Sequence, residues 1–113
     1  MPRRIRGTVV LPADAPSAVA HAVVEVRDVS YADARAPVIA SVTLPNAVVR
    51  PNGRIPFELT APEPDAGQQL SLECHIDITG GGAVTAGDLL STQSVPVPAA
   101  GDVSALDVPV TLV

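Results

Sequence analysis

The sequence predicts an all-β sandwich, and three observations carry that reading: an excess of β-branched aliphatic residues, period-two alternation in several stretches, and turn-forming residues between those stretches. Eighteen of the 113 residues are Val, against nine Leu and five Ile. Such side chains are stiff at χ1 and pack well on a pleated surface. Leu70, Leu72, Cys74, Ile76 and Ile78 alternate with Ser71, Glu73, His75 and Asp77, the pattern of a strand with one buried face. The chain has 12 Pro and 8 Gly, and most fall between the alternating stretches, where they favour turns over continued pairing.

Seven strands follow in order. Residues 4 to 11 offer Ile5, Gly7, Val9 and Leu11 on one face. Residues 19 to 29 place Ala22, Val24 and Val26 opposite His21, Val23, Glu25 and Arg27. One short helical turn is predicted near residues 30–35, with Ser30 as N-cap and Asp33 three residues on, closed by Pro37. Residues 38 to 44 (Val38, Ala40, Val42, Leu44) form the next strand, and Ile55, Phe57 and Leu59 mark another. The stretch 70 to 78 is the clearest. Residues 89 to 97 are weaker, with Val95 and Val97 the firmest members, and Leu106, Val108, Val110 and Leu112 close the chain. Pro56 and Pro109 fall inside strand patterns; proline removes a ladder donor, so both imply edge strands or a bulge. Gly80-Gly81-Gly82 reads as a mobile hairpin loop. Seven short strands at this spacing predict two antiparallel sheets in an immunoglobulin- or transthyretin-like sandwich, with residues 1–113 forming one domain.

Composition narrows the function. Aromatic residues are 2% of the chain, with one Phe, one Tyr and no Trp, so the core must be aliphatic. A net charge of −5, with all seven cations Arg, argues against nucleic acid, because phosphate binding draws on a basic surface. One Cys makes no intramolecular disulfide. No apolar run approaches the roughly 20 residues that cross a bilayer as a helix. Met1-Pro2-Arg3-Arg4-Ile5-Arg6 begins with positive charge but leads straight into strand-like sequence, without the apolar region of a secretion signal. With Met1 as the true start, the chain reads as cytoplasmic. Arg3, Arg4 and Arg6 read as a frayed, solvated start.

Several stretches together resemble the YbaY/YscW-like family, small bacterial envelope lipoproteins that include the type III secretion pilotins or lipoprotein chaperones. These are Ile5-Arg6-Gly7-Thr8-Val9, then Val24-Glu25-Val26-Arg27-Asp28-Val29-Ser30-Tyr31-Ala32-Asp33, then Ile55-Pro56-Phe57-Glu58-Leu59, followed by a long strand over 69 to 79. The resemblance covers most of the chain. It implies a β-sandwich, an envelope or periplasmic location through an N-terminal lipid, and, for the secretion members, the piloting of an outer-membrane ring protein. The lipid-bearing cysteine of that family has no counterpart here, since the only Cys is Cys74 in mid-strand.

The residues that invite chemistry read structurally. His75 between Glu73 and Asp77 could hold an ion, but the bland reading, a polar outer strand face, is preferred because zinc sites recruit Cys and His in tighter motifs. Cys74 has inward parity and reads as a small hydrophobe rather than a nucleophile. No Gly-x-Ser-x-Gly elbow surrounds any Ser, and Gly80 to Gly82 lack the spacing of a phosphate loop. We therefore expect no catalytic residue, no cofactor and no metal. The expected function is a non-enzymatic protein-binding or chaperone-like module; the alternative is a small-ligand or carbohydrate-binding sandwich. A polypeptide partner is expected to dock around Tyr31, with Arg35, Asp28 and Asp33 beside it, because the loop over residues 28 to 37 and that over residues 80 to 88 are the least regular parts of the chain.

Overall fold

The computed structural model describes residues 2–30, 36–98 and 101–113. Among the described residues the strands are β1 (Pro2–Val10), β2 (Ala18–Asp28), β3 (Val38–Val49), β4 (Arg54–Pro62), β5 (Leu70–Asp77), β6 (Leu89–Leu90), β7 (Val95–Pro96), β8 (Val103–Pro109) and β9 (Thr111–Leu112). They form two sheets. A three-stranded sheet has the order β4-β1-β8, and a larger one the order β3-β2-β5-β6-β9, with β7 paired to β5 beside β6. The predicted all-β sandwich is therefore what the chain forms. The predicted helical turn lies outside the described residues, apart from Ser30.

Alternation sets each face as the sequence implied. Leu70, Leu72, Cys74 and Ile76 of β5 are buried while Glu73 is exposed; Ala22, Val24 and Val26 of β2 point the same way, as do Ile55, Phe57 and Leu59 of β4. Ile5, Val9, Leu72, Ile76, Leu89 and Val108 fill the middle of the sandwich. Because the side-chain period is two, slipping β5 by one residue would expel this whole set from the core. Pro56 lies in β4 and Pro109 in β8, the two edges of the smaller sheet. Neither position must donate to a second neighbour, which is why proline is tolerated there.

The seven predicted strands become nine among the described residues, since the predicted closing strand divides into β8 of the smaller sheet and β9 of the larger, and three further details differ from the expectation. The predicted strand over 89 to 97 divides into β6 and β7, because residues 91 to 94 leave the ladder. Ser91 Oγ accepts from the Cys74 N–H at 2.8 Å, and Ser71 Oγ accepts from the Val95 N–H at 3.2 Å while bonding Ser94 Oγ at 2.8 Å. Serine side chains thus replace backbone partners across the gap. Second, β8 runs parallel to β1, not antiparallel, with Ile5 opposite Val103 and Gly7 opposite Leu106. Three residues of β8 span two of β1 there, a bulge whose extra residue is accommodated by Ala105 at φ 63°. Third, the N-terminus is not frayed. Pro2 already pairs with Pro62, and Arg3 turns into the sandwich end, 2% exposed, donating to the Pro98 and Gly101 carbonyls.

Candidate functional site

Two polar clamps and one apolar trough stand out among the described residues. The first clamp is built on Asp28, the last residue of β2. Its Oδ1 accepts from the Ser30 N–H at 2.9 Å and the Ser30 hydroxyl at 2.6 Å, and its Oδ2 accepts from Gln68 Nε2 at 2.9 Å. The Gln69 N–H in turn donates to Ser30 Oγ at 2.8 Å, and the Val29 N–H to the Gln69 carbonyl at 2.8 Å. These donors, Gln68 first and then Ser30, hold the Asp28 carboxyl below its ordinary range. Asp28 therefore spends both oxygens on fastening the loop before β5. Arg27, one residue earlier, lies 3.3 Å from Glu25 and 3.1 Å from Glu73, and donates to the Ala36 carbonyl at 2.8 Å. The other residues of the expected docking surface, Tyr31, Asp33 and Arg35, lie outside the described residues.

The second clamp is Asp88, which is wholly buried. Its Oδ1 accepts from the Thr79 N–H at 3.0 Å and the Thr79 hydroxyl at 3.1 Å; its Oδ2 accepts from His75 Nε2 at 3.0 Å and the Thr85 N–H at 3.1 Å. Burial opposes ionisation, but the His75, Thr79 and Thr85 donors outweigh it and hold the carboxyl well below the usual carboxylate range. Asp77 acts alongside, accepting the Gly80 and Gly82 N–H groups at 2.9 Å each. The loop expected to be a mobile hairpin is thus fastened at two carboxylates. Gly80 and Gly82, both at φ 81°, supply the left-handed backbone that turns their N–H groups toward Asp77.

Sequence reasoning placed His75 with Glu73 and Asp77; the fold joins His75 and Asp77 to Asp88 instead, bringing one ligand-capable atom of each within 4.8 Å of the others. All four carboxylate oxygens of Asp77 and Asp88 already accept internal donors, and N–H groups converging on them present positive dipoles that a cation would have to displace. The arrangement is a loop fastening. Asp88 was missed because it sits between Gly87 and the apolar Leu89-Leu90 pair, where a charge reads as loop surface; the polar rhythm Thr79, Thr85, Asp88 was the available signal. Cys74 is buried and free, and burial pushes its thiol up to about 12.

The trough opens where the β3 edge of the larger sheet overhangs the β4 edge of the smaller. A cavity of about 460 Å³ is lined by Leu44, Ala47, Val48, Ile55 and Pro56 with Arg54 at its rim. A second, of about 420 Å³, shares Leu44 and Pro56 and continues to Phe57, Glu58 and Arg6.

No family model and no curated protein matches the chain. A solved structure does: an alternative pilotin from the type II secretion system of Vibrio cholerae is 23% identical, with a TM-score of 0.72 over 98% of this chain and 98% of that one. The two proteins share a fold from end to end. Three stretches singled out in the sequence have structural roles in that fold. The first and third are the paired strands β1 and β4, with Gly7 opposite Phe57, and the second carries the Arg27 and Asp28 contacts.

Proposed function

We propose that this domain is a non-enzymatic, pilotin-like module of the cell envelope that binds a polypeptide, a subunit of an outer-membrane secretion ring, and escorts it to its site of assembly. The observation that carries the reading is the end-to-end likeness to a pilotin. The site chemistry agrees with it. The Asp28 and Asp88 clusters are both consumed by loop fastening, and no helix among the described residues is long and apolar enough to cross a membrane. The sugar-binding alternative has little support, since Phe57 is core and offers no stacking platform.

On this reading Tyr31 and Arg35, with Asp28 and Asp33, form a contact surface for the partner. The test is deletion of the gene in its source cell. The assembled ring, followed by immunoblot of the outer-membrane fraction, should fall several-fold and recover with the wild-type gene. Tyr31→Ala and Arg35→Glu should recover it incompletely. An unchanged ring in the deletion strain would remove the pilotin reading, and full recovery by both variants would move the contact elsewhere.

A further inference from the structure

We infer that the trough between β3 and β4 is the docking site for an extended, acidic polypeptide segment with apolar residues at alternate positions. The inference rests on the protein-binding reading above and adds to it a second surface and a class of ligand. Three features define that class.

The first is the edge itself. β3 closes the larger sheet and, among the described residues, has no strand on its outer side. Its twelve residues, VIASVTLPNAVV, carry no charge, whereas β1, β2, β4, β5 and β8 each carry at least one. Soluble proteins usually guard such edges with charged side chains or cover them, and an unguarded edge is what strand addition uses. Pro45, with the register shift beside it, interrupts the ladder near the middle of β3, so backbone pairing is available over Val38–Leu44.

The second feature is the apolar floor. Ala40, Val42 and Leu44 pack against the core but are only half-buried, at the edge where the larger sheet meets β4. A strand added to β3 would lay every second side chain over Leu44, Ile55 and Pro56 and complete their cover. The third feature is charge. In a chain of net charge −5, Arg6 and Arg54 line this trough and Arg50 stands exposed in the turn that joins its two walls. The one lining carboxylate, Glu58, is already bonded by Arg4 at 2.8 Å and Arg6 at 3.3 Å. The nearest partner of Arg54, Asp107, is 3.9 Å away between two largely exposed side chains, a contact that contributes little. The rim therefore favours carboxylates, and a second copy of this acidic chain, pairing edge to edge, would bring like net charges together.

Fluorescein-labelled twelve-residue peptides, one alternating Glu with Val and Leu and one alternating Lys with the same apolar residues, titrated by anisotropy against the whole domain, test this. The acidic peptide should bind at least tenfold more tightly than the basic one. Arg54→Glu should weaken it several-fold and Leu44→Glu abolish it, each protein first checked by circular dichroism and melting. Leu112→Glu, exposed on β9 at the opposite edge of the larger sheet, should bind as wild type does. Equal affinity for both peptides, or full binding by folded Leu44→Glu, overturns the inference while leaving ring escort standing. A Leu44-dependent dimer of the free domain, seen by sedimentation, overturns it too, because the trough would then be covered by a second copy.

Discussion

Gly7 shows how much a single atom weighs in this core. A Cβ there would lie 2.4 Å from the Leu106 carbonyl oxygen and 2.7 Å from Phe57 Cζ. The glycine leaves a slot on the inner face of β1, and the ring of Phe57, the residue opposite it in β4, fills that slot. Gly7→Ala should therefore lower stability by about 3 kcal/mol, since neither a backbone carbonyl nor a core ring can step aside cheaply; urea unfolding measures it, and a loss below about 0.5 kcal/mol would mean the slot is looser than described. Cys74 offers a second test at this scale. Fully enclosed and with its thiol pushed up to about 12, it should react with a thiol reagent orders of magnitude more slowly in the native protein than in denaturant. Native labelling at the rate of a free thiol would contradict the burial of β5's inner face.

At the scale of the element, period-two alternation made the strands legible because it is a local property: each residue on β5 reports its face through its own polarity. The turn prolines and glycines were legible for the same reason. Pairing was not. That β1 lies between β4 and β8, and that β8 runs parallel to it, depends on residues about fifty to a hundred positions apart, and no local pattern encodes such a choice. The clamp residues show the same limit. Asp28 and Ser30 were visible as a short polar motif, but Gln68, 40 residues away, could not be matched to Asp28, and the Asp88 knot needed the path of the whole 79–88 loop. The bulge in β8 also escaped notice, because Ala105 carries no mark of a left-handed backbone. That residue now gives a prediction. An L-residue with a Cβ at φ 63° is strained by roughly 1 kcal/mol or more, of which glycine's greater freedom in the unfolded chain returns part. Ala105→Gly should raise stability by about 0.5 to 1 kcal/mol in thermal or urea unfolding, the opposite of the usual effect of glycine in a strand. A loss of stability would place Ala105 in ordinary extended backbone.

For the molecule as a whole, the two aspartate clamps form one system around β5, a central strand of the larger sheet. Asp28 fastens the chain entering β5 through Gln68 directly and through Gln69 by way of Ser30, and Asp88 fastens the chain leaving it through Thr79. Both carboxyls are held below the ordinary Asp value of 3.8. A carboxyl depressed in the folded state adds stability that is fully present above its unfolded value and is lost as pH falls toward its folded one. The domain should therefore keep constant carboxylate support above about pH 5 and weaken steadily below about pH 4, with the ends of β5 loosening first as the clamps take up protons. Asp88→Asn should be less stable at neutral pH, because an amide cannot accept from all the donors that Asp88 serves, and the cost should be about 2 to 4 kcal/mol. Its stability should also depend less on pH below 4 than that of the wild type, since the proton-linked part has been removed. Urea unfolding of both proteins between pH 7 and pH 2.5 reads the two effects together: parallel curves, displaced but with the same acid slope, would mean that Asp88 is not the group whose protonation the fold resists.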